Sequence, residues 1–120
     1  MIELHSMAKL VAALNEIDTR LRMLHGIGLN ESVVLSSLGR SIVSPTEISK
    51  TSGISPSNLS RLLKGLEKRC LVERKIDDFD KRRLNFALSP SGHTLLEAVE
   101  NSEILIPRSV AEACKAIEHE

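Results

Sequence analysis

The chain has 120 residues and 42% apolar content, enough for one domain with a core. It has no Trp or Tyr, only Phe79 and Phe86 as aromatics, and a net charge of zero. An aliphatic core is therefore expected, aromatic base-stacking surfaces are disfavoured, and no apolar run approaches the roughly 20 residues needed to span a bilayer. No secretory signal is visible at the N-terminus. Cys70 and Cys114 lack metal-ligand spacing, so a reduced, cytoplasmic setting fits best, with no metal and no cofactor expected.

The charge is unevenly distributed. Residues 40–83 hold eleven Lys and Arg against six Asp and Glu, while residues 84–120 hold two against six. A basic segment in a neutral chain is an electrostatic footprint for phosphate, or equally a solvated helix face.

In chain order, Met7 to Leu24 reads as a first long helix. Met7, Leu10, Leu14, Ile17, Leu21 and Leu24 form a heptad stripe, facing either an internal core or a partner helix. Gly26 and Gly28 end it. Asn30 then reads as an N-cap for a short helix through Val34, Leu35 and Leu38, with Gly39 as its stop. Ser41-Ile42-Val43 is a brief extended piece, a third strand for a small sheet.

Ser44-Pro45-Thr46-Glu47 carries both a capping box and a proline at the first helical position. Gly53 ends that helix after about two turns, and Ile54 plugs the turn. Ser55-Pro56 repeats the cap-plus-proline start. Two capped helices across a glycine turn make a helix-turn-helix. The second runs from about Pro56 to Arg69. Leu59, Leu62, Leu63 and Leu66 gather on one side, while Ser57, Arg61, Lys64 and Lys68 gather on the other, flanked by Asn58, Ser60 and Gly65. The outward face has no acid, and Glu67 lies off to the side. Small polar groups at its N-terminal end suit base edges, and the lysines further along suit phosphates.

Leu71–Ile76 and Arg83–Leu88 alternate as two antiparallel strands. Their polar tip carries Lys81, Arg82 and Arg83, with Asp80 placed to accept from Arg82. Alone, such a tip is a hairpin kept soluble by charge; beside a helix-turn-helix it suits a minor groove. Ser89-Pro90 opens a further helix carrying Leu95, Leu96, Val99 and Ile106 until Pro107 breaks it. Residues from Arg108 to about Glu118 form the last helix, with Val110, Ala113 and Ile117 on one stripe. Amphipathic helices at both ends suggest a two-fold dimerisation layer. The expected fold is thus mainly α with a small antiparallel β-hairpin. It forms a single domain over 1–120, with dimerisation helices at 1–29 and 93–120 around a winged helix-turn-helix at 30–92.

These motifs resemble the MarR family of winged helix-turn-helix regulators. The resemblance rests on Pro45-Thr46-Glu47-Ile48-Ser49, Ile54 through Leu63, Leu66-Glu67-Lys68-Arg69, Asp80-Lys81-Arg82 and Leu88-Ser89-Pro90-Ser91-Gly92. It implies a homodimeric repressor on a pseudo-palindromic double-stranded operator, released by a small ligand or an oxidant. Ser57, Asn58, Ser60 and Arg61 would read the major groove, and Arg82 would sit at the wing tip braced by Asp80. The family usually has Gly where this chain has Cys70. In a left-handed conformation Cys costs roughly 1 kcal/mol more than Gly; the resemblance offers a regulatory thiol there, and a small semi-buried residue is the plainer reading. No nucleophile setting or phosphate loop points to an enzyme. The rival is a winged-helix adaptor that binds protein and not DNA.

Overall fold

In the computed structural model, residues 1–41, 43–76, 78–80 and 83–119 are described. Among them, six helices and one two-stranded sheet follow in the order α1 (Leu4–His25), α2 (Leu29–Arg40), α3 (Pro45–Ser52), α4 (Pro56–Lys68), β1 (Val72–Ile76), β2 (Leu84–Leu88), α5 (Pro90–Glu100) and α6 (Arg108–Glu118). The mainly α fold with a small antiparallel hairpin is the one expected. The chain divides into two compact units, Met1–Leu29 with Ser102–Glu120, and Asn30–Asn101.

Three helices of the second unit start by the same device. Ser44, Ser55 and Ser89 have extended backbones, each precedes a proline, and each hydroxyl accepts from the N–H three residues on, in Glu47, Asn58 and Gly92. Proline lacks the N–H that a first turn cannot use, and the serine satisfies one that it cannot otherwise bond. Each cap stabilises by about 1 kcal/mol. The α3–α4 turn is tied from several sides. Gly53 takes φ +76° and its N–H donates to the Ser49 carbonyl. The Ser49 hydroxyl donates to the Ile54 carbonyl, and Ser52 Oγ donates to the Ile48 carbonyl while accepting from the Ile54 N–H. Ile54 is buried as the plug of the turn.

Leu59, Leu63 and Leu66 of α4 are buried with Ile48 of α3 and Val34, Leu35 and Leu38 of α2. Each full burial removes enough apolar surface from water to favour folding by about 1.5–3 kcal/mol. The hairpin pairs Val72 with Leu88 through to Ile76 with Leu84. Its base is anchored where Ser89 Oγ donates to the Cys70 carbonyl (2.6 Å) and Ser89 N–H to the Leu71 carbonyl (3.1 Å). Gly92 sits so close that a Cβ there would overlap the Leu71 carbonyl oxygen.

Several boundaries differ from the sequence expectation. Helix α1 begins three residues before Met7. Asn30 is not an N-cap, because α2 already starts at Leu29, whose N–H donates to Asp18 Oδ1 at 2.7 Å. Gly39 lies inside α2 rather than stopping it; a Cβ there would stand 2.5 Å from Leu96 Cδ2, so the glycine admits α5. The third strand shrinks to one bridge, Val43 with Phe86, each donating to the other's carbonyl (3.1 and 2.9 Å). Ile42 is outside the described residues. Ile76 shares its face with buried Val72 but is exposed, because the hairpin leaves the core toward its tip. Helix α5 ends at Glu100, so Ile106 is not part of it.

In the first unit, α1 packs against α6, with Ile17, Leu21 and Val110 buried. The His25 ring hydrogen-bonds Ser102 Oγ at 2.5 Å. Asp18 also accepts from Arg22 Nε at 3.0 Å. The Leu29 N–H is the main reason its carboxyl stays more acidic than usual, with Arg22 adding to it and desolvation opposing. A Cβ on Gly28 would meet the ends of these two side chains, so a larger residue there would have to displace the pair.

Candidate nucleic-acid interface

The outer face of α4 is built by its own periodicity. With Leu59, Leu63 and Leu66 turned inward, Ser57, Asn58, Ser60, Arg61, Lys64, Gly65 and Lys68 are all exposed. The helix has one carboxylate, Glu67, which is half-buried and accepts from Arg74 Nε of β1 at 2.6 Å. The only acid on α4 is therefore paired with a cation on the hairpin, and the exposed stripe stays cationic. Arg74 also lies over the Phe86 ring, 5.9 Å from its centroid. The Glu67–Arg74 pair ties the hairpin to α4, and the Arg74–Phe86 contact joins the two strands of the hairpin.

Asn58 Oδ1 accepts from Arg61 Nη2 at 2.6 Å. Both side chains, with Asn30 and Leu62, line a crevice of about 300 Å³. A second hollow, about 410 Å³, runs between α3, α4 and the hairpin, lined by Leu59, Leu63, Leu84 and Phe86 together with Thr46, Lys50, Ser60 and Lys64. Thr46 and Lys50 are exposed, and sequence reading missed them. Their spacing of four on α3 was the available signal, since it puts both on one helix face.

On the wing, Arg83 is exposed and its N–H donates to the Asp80 carbonyl at 2.9 Å. Lys81 and Arg82 are outside the described residues, and so is the expected brace from Asp80 to Arg82. Cys70 takes φ +60°, the left-handed conformation where glycine is usual, but it is exposed rather than semi-buried. Cys114 is exposed as well. No described helix is long and apolar enough to cross a membrane.

Two serine-capped helices across a glycine turn, the second with a cationic outer face and followed by a hairpin, define a winged helix-turn-helix module. The sequence pattern of the MarR family matches residues 25–83, and the chain belongs to that family. It is 34% identical over 88 residues to the transcriptional repressor MprA of Escherichia coli (strain K12), a stretch covering 69% of this chain and 50% of MprA. The chain thus spans about half the length of the curated relatives it matches. Among solved structures, the transcriptional regulator BldR from Sulfolobus solfataricus superimposes with a TM-score of 0.78 at 18% identity, over 97% of this chain and 91% of BldR. A mutant of MepR from S. aureus, bound to an oligodeoxyribonucleotide, superimposes with a TM-score of 0.65 at 22% identity, over 99% and 95% of the two chains. At such identities the likeness is one of fold.

Proposed function

We propose that this chain is a sequence-specific transcriptional regulator that binds double-stranded DNA as a homodimer, on a pseudo-palindromic operator, and represses. One observation carries the reading: the exposed face of α4 bears Arg61, Lys64 and Lys68 among small hydroxyl and amide groups, while its single acid is neutralised by Arg74. A duplex presents dense negative charge and patterned base edges, and such a face complements both. In this reading Ser57, Asn58, Ser60 and Arg61 enter the major groove. Lys64, Lys68 and Lys50 meet phosphates, and Lys81, Arg82 and Arg83 reach the minor groove from the wing, with Asp80 as brace. The names of two similar proteins, the repressor MprA and the oligodeoxyribonucleotide-bound MepR mutant, support the same direction.

The exposed apolar residues of α1 and α6, including Met7, Val11, Leu24 and Ile117, support pairing with a second copy. Two copies would place their recognition helices about 34 Å apart, one turn of B-DNA. A small ligand or an oxidant that changes this spacing would release the operator. Cytoplasmic placement and the lack of an enzymatic role belong to the same reading.

The test is selection of bound fragments from random duplex DNA by the purified chain. An enriched two-fold motif with half-sites one helical turn apart is the expected result. Failure to enrich any duplex, together with stable capture of a protein partner through α4, would favour the adaptor instead.

A further inference from the structure

Within that interface, two side chains are committed to each other before any DNA arrives. Asn58 and Arg61 stand three apart on α4, where side chains are neighbours. The 2.6 Å contact uses the Asn58 carboxamide oxygen, since a guanidinium has only donors to offer. Asn30 and Leu62 complete the crevice in which the pair lies. This matters for base readout. Asparagine recognises adenine by offering its oxygen to N6 and its NH₂ to N7 together. With its oxygen turned to the Arg61 guanidinium, Asn58 would have to share or give up that contact to make the bidentate one. Arg61 keeps the rest of its planar fork of donors, which matches O6 and N7 of guanine. Holding a long side chain in place beforehand also removes part of the ordering cost of binding.

The geometry points to Asn58 as a positioning residue for Arg61, with Arg61 reading a guanine in each half-site and Asn58 specifying no base of its own. The inference rests on the DNA-binding reading above and deepens it.

The experiment repeats the duplex selection with the wild-type chain, Asn58→Ala, Asn58→Asp and Arg61→Ala, followed by affinities for single-base variants of the enriched site. The wild type should show a guanine at one position of each half-site. Arg61→Ala should relax that position by roughly 5- to 100-fold, the range of one bidentate contact. Asn58→Ala should relax the same position and no other. Asn58→Asp should keep the guanine preference, because a carboxylate still accepts from Arg61, while lowering affinity for every sequence. If Asn58→Ala and Arg61→Ala relax different base pairs, or if Asn58→Asp loses the preference as fully as Asn58→Ala, Asn58 reads a base directly and the inference is overturned. If the wild type enriches no duplex at all, the DNA-binding reading itself falls and takes this inference with it.

Discussion

The two units of this chain treat their apolar residues differently. In Asn30–Asn101, large side chains from α2, α3, α4, the hairpin and α5 are buried, and among its described residues few large apolar groups remain outside, Ile76, Phe79 and Leu84. In Met1–Leu29 with Ser102–Glu120 the balance reverses. Ile17, Leu21, Ile27 and Val110 are buried, but Met7, Val11, Met23, Leu24, Leu105, Ile106 and Ile117 are exposed. A core that closes on itself is expected to fold by its own contacts. An apolar surface left open on two helices is expected to be covered by something else, and a second copy is the proposed cover.

The sharpest contrast comes from truncating the closed core. Leu66 is fully buried, so Leu66→Ala should destabilise the chain by about 2–5 kcal/mol, read by chemical denaturation. An outer-face change should act elsewhere. Leu24→Glu and Ile117→Glu place charge at exposed positions, where a monomer loses little. If a second copy covers them, sedimentation should show at least a tenfold weaker dimer, about 1.4 kcal/mol. An unchanged association state would remove the proposed cover.

Smaller effects sharpen the contrast within each unit. Cys70→Gly relieves a left-handed residue, at φ +60°, and should stabilise by about 1 kcal/mol, less the extra freedom glycine gives the unfolded chain. A drop in stability would mean that the freedom glycine gives the unfolded chain outweighs the strain relieved. In the other unit, the Asp18 carboxyl is held more acidic than usual mainly by the Leu29 N–H. Its folded value is the lower one, so its contribution is present above the ordinary carboxylate range and is lost as pH falls below about 4. Wild type should therefore lose more stability than Asp18→Asn between pH 5 and pH 3. Parallel acid titrations would show that the Asp18–Leu29 hydrogen bond is not formed.

Much of the second unit was legible because its signals are local. A serine before a proline caps a helix by hydrogen bonds within four residues, and all three such starts formed. The Gly53 turn and the leucine face of α4 follow from backbone sterics and a 3.6-residue period in the same way. What could not be read depended on distant partners. Asn30 looked like a cap until Asp18 took the Leu29 N–H, and Gly39 looked like a stop although the Leu96 side chain occupies the space beside it. Helix α5 ends at Glu100 with Asn101 as its cap, a weaker stop signal than the Pro107 that the sequence also offers, and His25 holds Ser102 from far along the chain. At the interface, the outward stripe was visible from periodicity, but the pairing of Glu67 with Arg74, which keeps that stripe cationic, needed the hairpin in place. The commitment of Asn58 to Arg61 was hidden as well, since spacing allows such a pair without requiring it.

Whether the α4 face meets phosphates is the central question, and the salt dependence of duplex binding measures it most directly. With Lys50, Lys64 and Lys68 from each of two copies on phosphates, affinity should fall about a thousandfold between 50 and 200 mM salt. Lys64→Ala and Lys68→Ala should each flatten the logarithmic slope, by about one unit for every phosphate left without its lysine. An affinity that hardly changes with salt, or a steep slope that neither substitution alters, would contradict a phosphate-binding α4.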